Sequence, residues 1–238
     1  MCVANRAMAA PWNVLNDQQD SMSVRDAGWV QLYCRTNQEI LDTTAQAFKI
    51  AERLNVPVMV CYDGFLLSHT MMPVDVPSAE EVDGFLPPRT EPLQIVDVND
   101  PRNVGPVVMA GPRGDAEGVL QPGYMELRAM HNAALLEALE AIPAADAEWT
   151  AATGRAWGGL TSEYLLDDAE VVLVAAGSLV TQLTLVAETL RAEGVRAGVL
   201  GIRCYRPFPV EALRARLTGR SLALVFDKAL SYGFQGPI

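Results

Sequence analysis

Asn5-Arg6, Asn16-Asp17-Gln18-Gln19-Asp20, Arg25-Asp26 and Trp29 concentrate more hydrogen-bonding side chains than a surface loop between regular elements requires. Arg6 follows the apolar start Met1 to Ala4, so it falls at the carboxyl end of a first strand, which is where open parallel sheets bind ligands. A guanidinium there can take a carboxylate bidentately. The same arginine could instead pair with Asp17 or Asp20 and tie the loop down, and residue chemistry leaves both readings open. His69 would need an orienting partner to act as a general base, and none is secure in the sequence, so it reads as a structural histidine bonded to its loop. His131 stands near a helix start at a polar position and reads as solvent-facing or as a helix contact. No Ser-His-Asp or Cys-His order can be assembled.

Gly177-Ser178, between an apolar run and a helical pattern, places backbone amides where an anion could sit. With no Gly-x-Gly-x-x-Gly fingerprint and no Walker loop, the turn is assigned to packing and not to a nucleotide. Cys2, Cys34, Cys61 and Cys204 are too widely spaced for a clustered metal or iron-sulfur site, so any redox centre lies elsewhere.

The elements that must position these residues read as α/β. Met1 to Arg6 is expected to be a buried strand, and a chain opening on such a strand needs others beside it. Residues 37–54 carry apolar side chains at 40, 41, 45, 47, 48, 50, 51 and 54, an amphipathic helical period that ends at Asn55. Val58 to Tyr62 is continuously apolar, as in a parallel strand covered on both faces, and Asp63-Gly64 ends it. From Met71 to Gly123, Pro87-Pro88, Pro92, Pro101, Pro106, Pro112 and Pro122 leave room for few regular elements. Tyr124 to Ala141 reads as a helix, with a second from Pro143 to Ala152. Strands at 171–176, 195–202 and 221–226, separated by helices from Thr181 to Arg191 and from Pro209 to about Gly219, make a right-handed crossover unit. The closing Gly236-Pro237-Ile238 precedes the helix and strand such a unit normally has. Domain boundaries are placed at 1–122, a helical linker at 123–166, and 167–238.

The 238 residues are 50% hydrophobic and 20% charged, a core-forming composition. A net charge of −11 without a basic block argues against nucleic acid. No signal peptide or membrane span is expected, which implies a cytoplasmic protein with reduced thiols.

Ala4 to Ala7, Asn16 to Met22, Arg25 to Tyr33, Asn37 to Glu39, Ala47 to Glu52, Pro57 to Val60, Asp63 to Phe65, Leu67 to Thr70, Phe85 to Pro88, Tyr205 to Pro209, Phe226 to Lys228 and Tyr232 to Pro237 together resemble the alpha subunit of the 2-oxoacid:ferredoxin oxidoreductases of the pyruvate synthase type. The resemblance implies part of a thiamine diphosphate-binding, pyrimidine-type parallel-sheet domain followed by a transketolase C-terminal-like α/β domain. It implies oxidative decarboxylation of pyruvate or a related 2-oxoacid, with electrons passing to ferredoxin. Arg6 matches the arginine that contacts the substrate carboxylate. Arg25 is placed with it on the substrate side, and Asn5, Asp17 and Asp20 on the cofactor side. The thiamine diphosphate and Mg2+ would be shared with partner chains, and [4Fe-4S] clusters and coenzyme A would belong to the complex rather than to these cysteines. The implied partners are a chain carrying the upstream half of the alpha subunit with the activating glutamate, which has no counterpart in this sequence, a beta subunit holding the diphosphate, and a ferredoxin-like gamma/delta subunit. The alternative implied function is a noncatalytic scaffold subunit of a related complex.

Overall fold

A computed structural model of the chain describes residues 1–8, 11, 13–89, 113–114, 120–121 and 123–238. Most of the Pro-rich stretch, including Pro92, Pro101, Pro106, Pro112 and Pro122, lies outside the described residues. In chain order the elements are β1 (Cys2–Asn5), α1 (Gln19–Ser23), β2 (Val30–Tyr33), α2 (Asn37–Leu54), β3 (Val58–Asp63), α3 (Ala79–Phe85), β4 (Arg113–Gly114), β5 (Leu120–Gln121) and α4 (Tyr124–Thr153). They continue with β6 (Thr161–Tyr164), β7 (Val171–Ala176), α5 (Leu179–Ala192), β8 (Ala197–Ile202), β9 (Cys204–Arg206), α6 (Val210–Leu217) and β10 (Leu222–Phe226).

Two four-stranded sheets result, in the orders β1-β3-β2-β9 and β10-β7-β8-β6. β1, β3 and β2 run parallel, as do β10, β7 and β8. β9 and β6 join antiparallel at the ends. β9 follows β8 directly in the chain yet pairs with β2, so the two sheets are tied by backbone. The small pair β4–β5 stands apart.

The cores stack in layers. Val30, Leu32, Val58 and Val60 of the first sheet meet Ala47 and Ile50 of α2 and Ala138, Ile142 and Trp149 of α4. Tyr33, Met59 and Cys61 point the other way and meet Val172, Val174, Leu200, Ile202 and Tyr205. Leu173, Ala175 and Val199 then pack under Val180, Leu183 and Ala187 of α5. Each central strand is therefore covered on both faces, which explains the unbroken apolar runs.

Local chemistry sets the boundaries. Thr36 caps α2 by accepting from Glu39 N–H, and Asn55 ends the helix in the left-handed region at φ 54°. Ser78 and Glu81 form a reciprocal capping box on α3, one of the few regular elements described between Met71 and Gly123.

Three expectations are corrected. β1 is an edge strand with Cys2 exposed and only Asn5 buried, because nothing among the described residues covers its outer side. The helices on either side of Pro143 are one helix, α4. Its buried face (Ala138, Ala141, Ile142, Ala145, Trp149) runs across the proline, and burying such side chains at about 1.5–3 kcal/mol for each large one offsets a helix penalty of about 3 kcal/mol. Gly159, at φ 67°, leaves room there, since a Cβ would lie 3.1 Å from Pro143 Cα. On α2 the residues fully withdrawn from solvent include Glu39, Asp42, Thr43 and Gln46, whereas Phe48 is 60% exposed. The buried stripe is thus partly polar and the apolar stripe partly open. No helix among the described residues is long and apolar enough to cross a membrane.

Candidate functional site

The carboxyl ends of β1 and β3 converge on Asn5, Arg6, Asp63 and Gly64. Gly64 N–H donates to the Asn5 carbonyl at 3.0 Å. A Cβ at Gly64 would lie 2.2 Å from that carbonyl and 3.0 Å from Arg6 Cδ, so only glycine lets the arginine stem cross here. Arg6 is exposed. Its backbone N–H, not its side chain, is what Asp20 Oδ2 accepts, at 2.8 Å. Among the described residues the Arg6 guanidinium has no ion pair, with Asp17, Asp20 or any other carboxylate.

The aspartates of the preceding loop serve the loop itself. Asp20 Oδ1 accepts from Asn5 Nδ2 at 2.7 Å and from Ser21 N–H at 2.7 Å, and Asp17 Oδ1 accepts from Gln19 N–H at 2.8 Å. Asn5 also donates to Ser21 Oγ at 2.5 Å, and Ser21 Oγ shares a hydrogen with the Tyr33 hydroxyl at 2.6 Å. Burial pushes the Tyr33 phenol well above its ordinary range, which keeps it a neutral hydrogen-bonding group. Asn5 Oδ1 is buried and has no donor beside it.

Asp63 is the buried centre that sequence reading took only for a strand end. Its fully buried carboxylate accepts from Ser178 N–H at 3.0 Å, from Ser178 Oγ, from Lys228 Nζ at 3.1 Å and, at the long distance of 3.5 Å, from Gln18 Nε2. The position at Gly177-Ser178, before α5, where an anion could sit is therefore filled by a carboxylate from the first sheet, in keeping with a packing turn. Gln18 also donates to the Ala176 carbonyl at 3.2 Å, so the polar loop clamps the two sheets together.

Arg25 stands elsewhere. It lines a cavity of about 340 Å3 with Asp26, Trp29, Arg128, His131 and Arg206, and Arg6 is not part of that lining. His131 Nε2 donates to the Gly28 carbonyl at 2.8 Å, so the helix-contact reading applies. His69 stacks on Phe65 with ring centroids 5.2 Å apart, and its backbone N–H bonds the Phe65 carbonyl. The buried thiols are suppressed as nucleophiles: burial pushes Cys61 and Cys204 up to about 12 and Cys34 well above its ordinary value.

A buried cationic network also escaped the sequence. Arg203, 2% exposed, donates to Glu39 Oε1 (3.1 Å), the Gly159 carbonyl (2.8 Å), Thr43 Oγ1 (2.9 Å) and Gln46 Oε1 (2.7 Å). The only legible signal was an unusual run of polar residues, 39, 42, 43 and 46, at helical spacing.

Residues 1–119 match the family model described as pyruvate flavodoxin/ferredoxin oxidoreductase, thiamine diphosphate-binding, and residues 169–238 match pyruvate:ferredoxin oxidoreductase core domain II. The chain is 42% identical over 98% of its length to pyruvate synthase subunit PorA of Methanosarcina barkeri, covering 56% of that protein. It is 37% identical over 99% of its length to ketoisovalerate oxidoreductase subunit VorA of Pyrococcus abyssi, covering 57% of it. The chain thus spans little more than half the length of the curated relatives it matches. Among solved structures, a 2-oxoglutarate:ferredoxin oxidoreductase from Magnetococcus marinus shares the fold over 96% of this chain and 40% of its own, with a TM-score of 0.57 at 13% identity. With the parallel sheet, Arg6 at its carboxyl end and the family model running from the first residue through half the chain, the protein belongs to the pyruvate flavodoxin/ferredoxin oxidoreductase family.

Proposed function

We propose that this chain is an alpha-type part of a thiamine diphosphate-dependent 2-oxoacid:ferredoxin oxidoreductase, in which Arg6 receives the carboxylate of pyruvate or a related 2-oxoacid. The observation that carries this reading is the exposed Arg6 guanidinium at the carboxyl end of β1, inside the matched thiamine diphosphate-binding segment and without an ion pair among the described residues. Acidic residues outnumber basic ones by 29 to 18 in this chain, so an arginine left without a carboxylate is a cation available to an incoming one.

The residues present fit the cofactor. Asn5 Oδ1, buried with no donor beside it, is an acceptor suited to an amino group on a bound ring, and Asp17 and Asp20 border the same loop. Bound thiamine diphosphate would supply the electron sink that decarboxylation requires. The chain's own part is to orient the 2-oxoacid through Arg6 and to hold Asn5 in place through Asp20 and Ser21. Among the described residues no group of three His, Cys, Asp or Glu side chains could hold a metal. In this reading Mg2+ and the diphosphate belong to a beta-type partner, the [4Fe-4S] clusters to a ferredoxin-like gamma/delta subunit, and coenzyme A to the assembled complex. The activating glutamate is assigned to the part of the alpha-type fold that these 238 residues do not include. Residues 1–122 would form the pyrimidine-side domain, 123–166 the linker and 167–238 the transketolase C-terminal-like domain, in the cytoplasm. Arg25 is assigned to the ligand of the separate cavity it lines.

The test is co-production with the genomic neighbours, purification through a tag on this chain, and an assay of 2-oxoacid-dependent reduction of ferredoxin or viologen with thiamine diphosphate and Mg2+. Arg6→Ala is expected to lower kcat/KM at least about 100-fold, the loss of a bidentate charged contact, with partial recovery in Arg6→Lys. An assembly with its clusters loaded that turns over no 2-oxoacid, or one that ignores Arg6→Ala, would refute the proposal.

A further inference from the structure

Three arginines converge on the cavity of about 340 Å3 that lies between the early turns of α4, the Arg25–Trp29 turn and the segment after β9. Arg25, Arg128 and Arg206 line it, and among the described residues Asp26 is the only carboxylate in the lining. Asp26 neutralises them poorly: it is 84% exposed and stands 3.9 Å from Arg25 Nε and 4.0 Å from Arg206 Nε, the outer limit of an ion pair. Arg128 has no ion pair among the described residues. Gathering this much uncompensated positive charge in a chain of net charge −11 has an electrostatic cost that a bound anion would remove.

Two of the cations, Arg206 and Arg25, are also held in place. Arg206 lies over the Tyr205 ring at 4.4 Å and near Phe208 at 5.9 Å, and its Nη1 donates to the Tyr205 carbonyl at 2.8 Å. Arg25 Nη1 donates to the Met22 carbonyl at 3.2 Å. The floor is fixed by His131 bonded to the Gly28 carbonyl; Gly28 has φ 83°, and a Cβ there would lie 2.3 Å from the His131 ring. Trp29, Leu135, Leu136 and Phe208 supply an apolar wall beside the charges. The volume falls in the range of small-molecule sites and exceeds what an inorganic anion needs.

We propose that this cavity binds an organic phosphate, with Arg25, Arg128 and Arg206 on the phosphate oxygens and the apolar wall against the organic part. The proposal is independent of the 2-oxoacid reading, because Arg6 is not in the lining. Titration of the full chain with pyrophosphate and with ADP, followed calorimetrically at low and high salt, tests it. ADP is expected to bind more tightly than pyrophosphate, both to weaken with salt, and Arg128→Gln to weaken both about tenfold at unchanged melting temperature. Arg206→Gln is expected to weaken them similarly. Absence of saturable binding of either probe at millimolar concentration would overturn the proposal, as would binding that neither variant alters. Capture of an acidic peptide with no affinity for either probe would overturn it in favour of a protein contact.

Discussion

Replacing Asp63 with alanine should separate the two sheets energetically. The carboxylate is fully buried and takes hydrogen bonds from Ser178 N–H, Ser178 Oγ and Lys228 Nζ, and Lys228 is itself only 19% exposed. Removing one partner of such a pair strands the other charge, which typically costs about 3–5 kcal/mol when both are buried. Lys228 keeps some solvent contact, which places the expected loss near the lower end, about 3 kcal/mol, with a fall in melting temperature on the order of 6–12 °C for a chain of this size. Denaturant titration with circular dichroism gives the loss directly. A cycle with Asp63→Asn and Lys228→Met isolates the pair and should return a coupling of about 1–3 kcal/mol. A loss under about 1 kcal/mol for Asp63→Ala, or additive single changes, would show that Asp63 acts like an exposed ion pair and that the clamp is not what holds the sheets together.

Arg203→Lys keeps the charge but cannot reach Glu39, Gly159, Thr43 and Gln46 at once, so a loss of at least about 2 kcal/mol is expected in the same titration; a neutral result would mean that the fork geometry is irrelevant. Burial raises the Asp227 carboxyl above its ordinary range, and its Oδ1 has no donor. A raised folded-state value favours the protonated form on folding, so that contribution is present at low pH and lost as pH rises through the folded value. Asp227→Asn should therefore raise the melting temperature at pH 7, with the gain vanishing well below about pH 4; a gain equal at both pH values would contradict the assignment. Of Cys2, Cys34, Cys61 and Cys204, only Cys2 is exposed, so a thiol reagent at pH 8 should modify that one in the native chain and the others only after denaturation, as read by mass spectrometry.

What the sequence could convey follows from which interactions repeat along the chain. β3, β7 and β8 were legible because strands covered on both faces must be continuously apolar, and the Asp63-Gly64 and Gly177-Ser178 turns marked their ends. β2 and β9 were not, since Gln31 and Arg206 interrupt them and their pairing joins segments far apart in the chain. Arg6 was placed by its position after β1, and a bond from its own backbone to Asp20 could not be separated in advance from one made by its side chain.

α2 shows where hydrophobic periodicity stops being informative. Its period was correct, and so was its length, because the Thr36 cap and Asn55 are local signals. Which face it buries was not local. Glu39, Asp42, Thr43 and Gln46 turn inward because Arg203, Arg155, Trp157 and Asp146 arrive from the second half of the chain to satisfy them, with Arg155 forking onto Asp42 at 2.8 and 3.0 Å and Gln46 donating to Asp146 at 3.0 Å. Left unpaired, that stripe would be costly to bury, and with its partners present it specifies which surface the second half docks against. Ile40, Leu41 and Phe48 of α2 line, with Met72 and Val74, an open groove of about 670 Å3, so the apolar stripe is divided between that groove and the core that Ala47, Ile50 and Leu54 enter, without any change in helical period.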